Sequence, residues 1–252
     1  GAGSPLSNRE TKGAGTVREI VCGRESVPLR NNVLSMPIMP STKNMSLSGL
    51  YVILDPSVRP DRPLTDMLKA SAEAGVRIFQ YRNKTASMKE AYADASALRK
   101  VASEMGVTFI VNDRCDLALA VDADGVHLGQ GDLPYGYART IMGPTKLIGL
   151  STHNRDQVKE AETLKPDYIG FGPIFKPGSK QDHDPVVGIE GLCAIRSLTA
   201  LPVFAIGGIT LENVGEVMQA GANGVAVISA ILDAPDVRRA VSGFLFRMSE
   251  PA

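Results

Sequence analysis

The chain has 252 residues, enough for one large α/β domain or two small ones, and 44% of them are hydrophobic, so a sizeable core can form. Its 27 Lys and Arg balance 27 Asp and Glu, which leaves no global electrostatic footprint for nucleic acid or a membrane surface. No apolar run approaches the roughly 18 residues of a membrane span. The three cysteines, Cys22, Cys115 and Cys193, form no Cys-x-x-Cys pair and no even disulfide set, which fits a reduced, cytoplasmic setting.

Residues 1–48 read apart from the rest. They are rich in Gly, Ser, Asn and Pro, show no sustained period and lack the apolar segment of a secretory signal. This composition predicts a mostly disordered extension, with a short docking helix around Val17 to Cys22 as the alternative. A start at Met36 or Met45 would leave everything that follows complete.

From Leu50 to Ser229 the sequence switches eight times from a short β-rich run to a helical run. Leu50 to Leu54 is an apolar run suited to a strand buried on both faces, and Leu64, Met67, Leu68, Ser71 and Ala74 then repeat at helical spacing until Gly75. A second strand is predicted near Arg77 to Tyr81. Ser87 and Glu90 form a capping-box pattern that opens the second helix, and Gly106 closes it. Further strands are predicted over Thr108 to Val111, Gly125 to Leu128, Leu147 to Leu150 and Tyr168 to Phe171. Helix five carries Val158, Ala161 and Leu164. A polar loop, Gly172 to Gly188, precedes a helix bearing Leu192, Ile195 and Leu198, and its part from Lys176 to Pro185 reads as a mobile lid. Strand seven is Pro202 to Ile206, helix seven carries Leu211, Val214, Val217 and Met218, strand eight is Gly224 to Ile228, and a last helix runs from about Pro235 to Phe246. Residues 49–248 are therefore predicted to form a single α/β domain, a (β/α)8 TIM barrel. A doubly wound open sheet is the alternative, because period alone does not prove closure.

Polar residues gather just after the β-rich runs, and in a closed barrel these strand ends converge on one rim. Gln80, Arg82 and Lys84 alternate, so they share one side. Inside a barrel such a set is costly unless it binds something, and Arg with Lys suits phosphate oxygens; a solvated strand end is the bland alternative. Asn112-Asp113 follow strand three and Asp132 follows strand four. Each alone suits a turn or a cap, Asp132 for helix four. Together, one carboxylate after each of two adjacent strands points to Mg²⁺ held with substrate phosphates. Gly207-Gly208 and the turn after Ile228-Ser229 lie where many barrels bind phosphate through backbone amides, although two glycines equally permit a tight turn. His153, beyond Ser151-Thr152, is either a proton carrier or a cap. His127 reads as a satisfied core histidine and His183 as a solvated loop residue.

As a set, Gln80-Tyr81-Arg82-Asn83-Lys84, Asn112 to Ala118, Gly125 to Pro134, Gly170 to Phe175 and Ala205 to Ile209 resemble the thiamine-phosphate synthase family. The resemblance spans about Leu50 to Leu232, in the family's order. It implies a transferase that joins an aminopyrimidine-methyl diphosphate to a hydroxyethylthiazole phosphate by a dissociative, Mg²⁺-assisted substitution, giving thiamine phosphate and diphosphate. It implies that Gln80, Arg82, Lys84, Asn112, Ser151 and Lys180 hold the pyrimidine diphosphate, that Gly208, Ile228 and Ser229 hold the thiazole phosphate, and that Asp113 and Asp132 hold Mg²⁺. Tyr81, Asn83 and Ser179 complete the substrate-binding set it implies, and Lys180, Arg82 and Ser151 are its catalytic residues. The implied partners are small molecules, with a homo-oligomer allowed.

The chain departs from the family in one loop. Where the family has Pro-Thr-x-Thr-Lys, this chain has Lys176-Pro177-Gly178-Ser179-Lys180, so one hydroxyl and one backbone N–H are lost at Pro177. Either the grip on the thiazole phosphate is weakened or Lys176 compensates. Two alternatives to the synthase reading remain: an isomerase resembling thiazole tautomerase that uses His153, and a non-catalytic barrel that binds thiazole or pyrimidine phosphates.

Overall fold

The computed structural model describes residues 47–176 and 185–250. The extension up to residue 46, Ser179, Lys180, His183 and most of the predicted lid lie outside the described residues. Eight strands, β1 Gly49–Leu54, β2 Ile78–Tyr81, β3 Thr108–Asn112, β4 Gly125–Leu128, β5 Leu147–Thr152, β6 Tyr168–Phe171, β7 Val203–Ile206 and β8 Gly224–Val227, pair parallel in chain order. β8 returns to β1 with Val52 opposite Val227, so the sheet is a closed barrel and the open-sheet alternative falls. Helices α1 Leu64–Glu73, α2 Met88–Met105, α3 Cys115–Ala120, α4 Tyr135–Met142, α5 Arg155–Leu164, α6 Gly188–Arg196 and α7 Val214–Gln219 separate the strands, and α8 Ser229–Leu232 and α9 Val237–Ser249 follow β8. None of the described helices is long and apolar enough to cross a membrane.

The period of two along each strand sorts the apolar residues into two cores. Leu50, Val52, Leu54, Phe79, Tyr81, Phe109 and Val111 face outward and pack under the helices. Tyr51, Ile53, Ile78, Ile110, Leu147, Tyr168, Phe204 and Ala226 face inward and fill the barrel. Each such side chain contributes about 1.5–3 kcal/mol on leaving water, so this alternation makes a register slip prohibitive.

Local signals account for the helix ends. Ser87 Oγ accepts from the Glu90 amide at 3.3 Å and Glu90 Oε2 accepts from the Ser87 amide at 2.9 Å, which satisfies two orphan donors of α2. Gly106 ends that helix in the left-handed region, with φ 63°. Several boundaries differ from the sequence reading, β3, β7, β8, α6 and α9 among them by one to three residues, and three differences trace to identifiable hydrogen bonds. β5 runs through Ser151 and Thr152, because both residues pair with β6 and Thr152 Oγ1 donates to the Gly170 carbonyl at 2.9 Å. α7 begins at Val214, since Asn213 folds the preceding turn by accepting from the Thr210 amide at 2.8 Å and donating to the Gly208 carbonyl at 3.0 Å. α8 is a separate turn of helix, divided from α9 where Asp236 caps the latter by accepting from the Arg239 amide at 3.0 Å.

Candidate active site

The inward positions continue past the apolar filling to a cavity of about 880 Å³ at the ends of the strands. Its floor is aromatic. Tyr51, Tyr168 and Phe204 meet edge to face, with ring centroids 5.3–6.0 Å apart. Polar groups on this floor are joined to one another. Gln80 Nε2 donates to Tyr51 Oη at 2.7 Å, Tyr51 Oη lies 3.0 Å from Tyr168 Oη, His127 Nδ1 lies 3.1 Å from Tyr168 Oη, and His127 Nε2 lies 3.0 Å from Ser151 Oγ. Burial pushes the two phenols up out of the titrating range and pushes His127 down to about 4, so all three are neutral.

Charge is confined to the rim. Arg82 pairs with Asp55, which is only 4% exposed and whose Oδ1 also accepts from the Ser57 amide at 3.0 Å and hydroxyl at 2.6 Å. Lys84 pairs with Asp113. Asp113 holds a left-handed backbone, φ 63°, fixed by its amide donating to the His127 carbonyl at 2.8 Å. Asp132 faces Asp113 across the next strand and accepts from the Gly129 amide at 2.7 Å. Burial first, and then the neighbouring Asp113 carboxylate, raise the Asp132 pKa above the usual carboxylate value. Two facing carboxylates that repel each other are relieved by a cation or a shared proton. Among the described residues no third His, Cys, Asp or Glu joins a metal-holding group.

The cavity is lined by most of the residues singled out in the sequence: Gln80, Arg82, Lys84, Asn112, Asp113, Asp132, Ser151, Gly208, Ile228 and Ser229. Tyr81 and Asn83 are not among them. The period of two turns Tyr81 outward, where its hydroxyl is 3.0 Å from Asp94 Oδ2 under α2. Asn83 folds its own turn, Oδ1 accepting from the amides of Thr85 at 3.1 Å and Ala86 at 3.0 Å. Asp132 does not cap α4, whose N-cap is Pro134 with no side-chain bond. His153 lines the cavity, and its Nδ1 is 2.7 Å from the Gly172 carbonyl, so that nitrogen carries the proton. His127 is satisfied, as the sequence suggested, but it lines the cavity as well. The Gly207-Gly208 turn needs glycine on steric grounds. A Cβ at Gly207 would lie 2.5 Å from Pro173 Cβ, and one at Gly208 would lie 2.8 Å from the Lys176 carbonyl oxygen.

The model of the family described as thiamine monophosphate synthase matches residues 50–231, nearly the whole barrel. The chain belongs to that family. A thiamine-phosphate synthase of Shouchella clausii is 43% identical over 201 residues, covering 80% of this chain and 96% of the relative. One of Syntrophomonas wolfei is 42% identical over 189 residues, covering 75% and 90%. A solved thiamine phosphate pyrophosphorylase from Pyrococcus furiosus superposes with a TM-score of 0.72 at 38% identity, over 79% of this chain and 95% of that one.

Sequence reasoning missed the aromatic floor and Asp55. Tyr51 and Tyr168 look like ordinary strand residues, and Asp55 before Pro56 looks like a turn. Carrying the inward period of Gln80 and Arg82 across the paired strands would have found the two tyrosines, since Ile53 pairs with Gln80 in the β1–β2 register.

Proposed function

We infer that this chain is a thiamine-phosphate synthase, a transferase that couples an aminopyrimidine-methyl diphosphate with a hydroxyethylthiazole phosphate to give thiamine phosphate and diphosphate. The observation that carries the reading is the placement of Arg82 and Lys84 beside Asp113 and Asp132 on one cavity rim, above a neutral aromatic floor. A charged rim suits a diphosphate, and a neutral floor suits a flat heteroaromatic ring.

Breaking the carbon–oxygen bond to the diphosphate leaves a cation that the aminopyrimidine ring delocalises, so the protein needs no covalent nucleophile. Its task is to hold the leaving group, to stabilise the charge growing on it, and to keep the thiazole nitrogen in line. Arg82 and Lys84 take the diphosphate oxygens, with Asn112 beside them. Gln80 and Ser151 orient the ring. Gly208, Ile228 and Ser229 receive the thiazole phosphate. Lys180 is assigned to the leaving group from the sequence, and Ser179 to the substrate-binding set. Asp113 and Asp132 fit Mg²⁺, because it binds through one or two carboxylates and completes its shell with substrate phosphates. When bound there, Mg²⁺ neutralises charge on the departing diphosphate. The three widely spaced cysteines of the sequence, which form no Cys-x-x-Cys pair, fit a reducing, cytoplasmic setting.

The deciding experiment is incubation with both substrates and Mg²⁺, with detection of thiamine phosphate by mass spectrometry. Its absence at every Mg²⁺ concentration would refute the assignment.

A further inference from the structure

The five polar side chains on the cavity floor form one continuous chain of hydrogen bonds, Gln80–Tyr51–Tyr168–His127–Ser151. Counting protons along it gives the chain a direction. A tyrosine hydroxyl has one proton and a neutral imidazole has one. The Gln80 amide nitrogen only donates, so Tyr51 accepts from it. Among the described residues Tyr51 has no acceptor other than Tyr168, so its own proton goes there. Tyr168 then donates to His127 Nδ1 and leaves that nitrogen unprotonated. The imidazole proton sits on Nε2 and is donated to Ser151 Oγ. The Ser151 proton is left without an acceptor among the described residues and turns to the cavity, which Ser151 lines. At the other end, Gln80 Oε1 has no hydrogen-bond partner among the described residues, and Gln80 lines the cavity without that atom being fully enclosed. It therefore also faces the cavity.

We propose that Tyr51, Tyr168 and His127 are positioning residues that transmit the orientation of the Gln80 amide to the Ser151 hydroxyl, so that the floor always presents one acceptor at Gln80 and one donor at Ser151. The two ends cannot turn independently. Turning the amide over puts Oε1 against Tyr51 and reverses every link, so His127 carries its proton on Nδ1 and Ser151 donates inward. The floor then offers a donor at Gln80 and only lone pairs at Ser151. The forward polarity matches a ring that carries an amino donor together with an acceptor at its other contact. It mismatches a ring in which an oxo group replaces the amino group. Resting on the synthase reading, the proposal makes this coupled polarity the means by which the site selects an aminopyrimidine.

The test has two arms on the full chain. In the first, the ring nitrogens of His127 are observed by ¹⁵N NMR without substrate. Wild type is expected to show the Nε2–H tautomer. Gln80→Glu, read at alkaline pH where its buried carboxyl is ionised and only accepts, is expected to show Nδ1–H, and Tyr168→Phe a mixture. In the second arm, kcat/KM for coupling is measured for Tyr168→Phe, Ser151→Ala and the double variant. Tyr168→Phe alone is expected to lose roughly tenfold to a hundredfold, the worth of one hydrogen bond to a charged or reacting group. In the Ser151→Ala background the same change is expected to cost clearly less than in wild type, because the part of its effect that passes through Ser151 is already lost. Thermal melts confirm that each variant is folded. An Nδ1–H tautomer in wild type, no change in Gln80→Glu, or additive losses in the double variant would each overturn the proposal. Wild type that makes no thiamine phosphate but shows the tautomer switch would instead refute the synthase reading and leave the directional chain standing.

Discussion

Replacing Gly149 by Ala is the smallest change that reaches the cavity floor from behind. Gly149 lies in β5 with an ordinary extended backbone, so a side chain brings no conformational strain there. What it meets is Tyr168. A Cβ would lie 2.2 Å from Cζ, 2.5 Å from Cε2 and 2.5 Å from Oη of that phenol. A ring tip would normally swing aside, but this one is fully buried and set against Tyr51, His127 and Phe204, with centroids 5.4–6.0 Å away. Moving it also breaks at least one of its hydrogen bonds, to Tyr51 at 3.0 Å or to His127 at 3.1 Å. Overpacking of this kind costs about 1–3 kcal/mol, and a buried polar atom left unpaired costs a further ~1–3 kcal/mol. Together the loss is about 2–6 kcal/mol, which lowers Tm by roughly 4–24 °C for a domain of this size. Melting curves and coupling kinetics on the same preparation are the assay. Activity measured well below the new Tm should fall at least tenfold, because the floor is deformed even where the fold survives. A Tm within about 2 °C of wild type with unchanged kcat/KM would show that the ring is not held as described.

Gly136, in the first turn of α4, is the contrasting case: a Cβ there meets nothing within 4 Å, so Gly136→Ala should raise stability by about 0.5–1 kcal/mol with turnover unchanged, as read from melts and kinetics. Asp113→Asn, which keeps a side chain suited to the left-handed backbone at that position, should cost the reaction most of its rate while leaving Tm close to wild type, because the pair with the half-exposed Lys84 contributes little to folding; unchanged activity in EDTA would count against the metal role. His127 is held neutral by burial, with its folded pKa lowered from 6.5 to about 4, so between those values the unfolded chain binds the extra proton. Stability should therefore be full above pH 6.5 and fall by up to about 3 kcal/mol as the pH drops towards 4, and His127→Gln should remove that part of the slope in a pH series of melts.

The fold was legible because its strands obey a simple physical rule. Residues buried on both faces of a parallel sheet read as short apolar runs, and such runs marked β4 and β6 at their observed limits. The errors with an identifiable cause fell where polar side chains serve the backbone. Ser151 and Thr152 extend β5 because Thr152 bonds the next strand, and Asn213 delays α7 by holding a turn; neither bond has a signature in periodicity. Closure itself rests on β1 meeting β8 across most of the barrel's sequence, a contact that no local pattern encodes.

The rim of the site was readable for a different reason than its floor was not. Arg82, Lys84, Asp113 and Asp132 are charged residues at strand ends, where charge is expensive without a task, so each announces itself singly. Tyr51, Tyr168 and His127 announce nothing singly: a tyrosine or a histidine inside a strand is ordinary core material. Their meaning comes from pairing across sequence separations of 117 and 41 residues, and from each having one proton to give. Tyr81 shows the converse. It sits inside the most informative motif of the chain, yet the period of two places it on the outer face, bonded to Asp94 under α2. Membership of a motif is thus a weaker guide to the site than strand parity. The inward parity that admits Gln80 and Arg82 and rejects Tyr81, carried around the register of eight strands, also collects His127, Ser151, Tyr168 and Tyr51, and that is the set through which the floor fixes what it presents to a ligand.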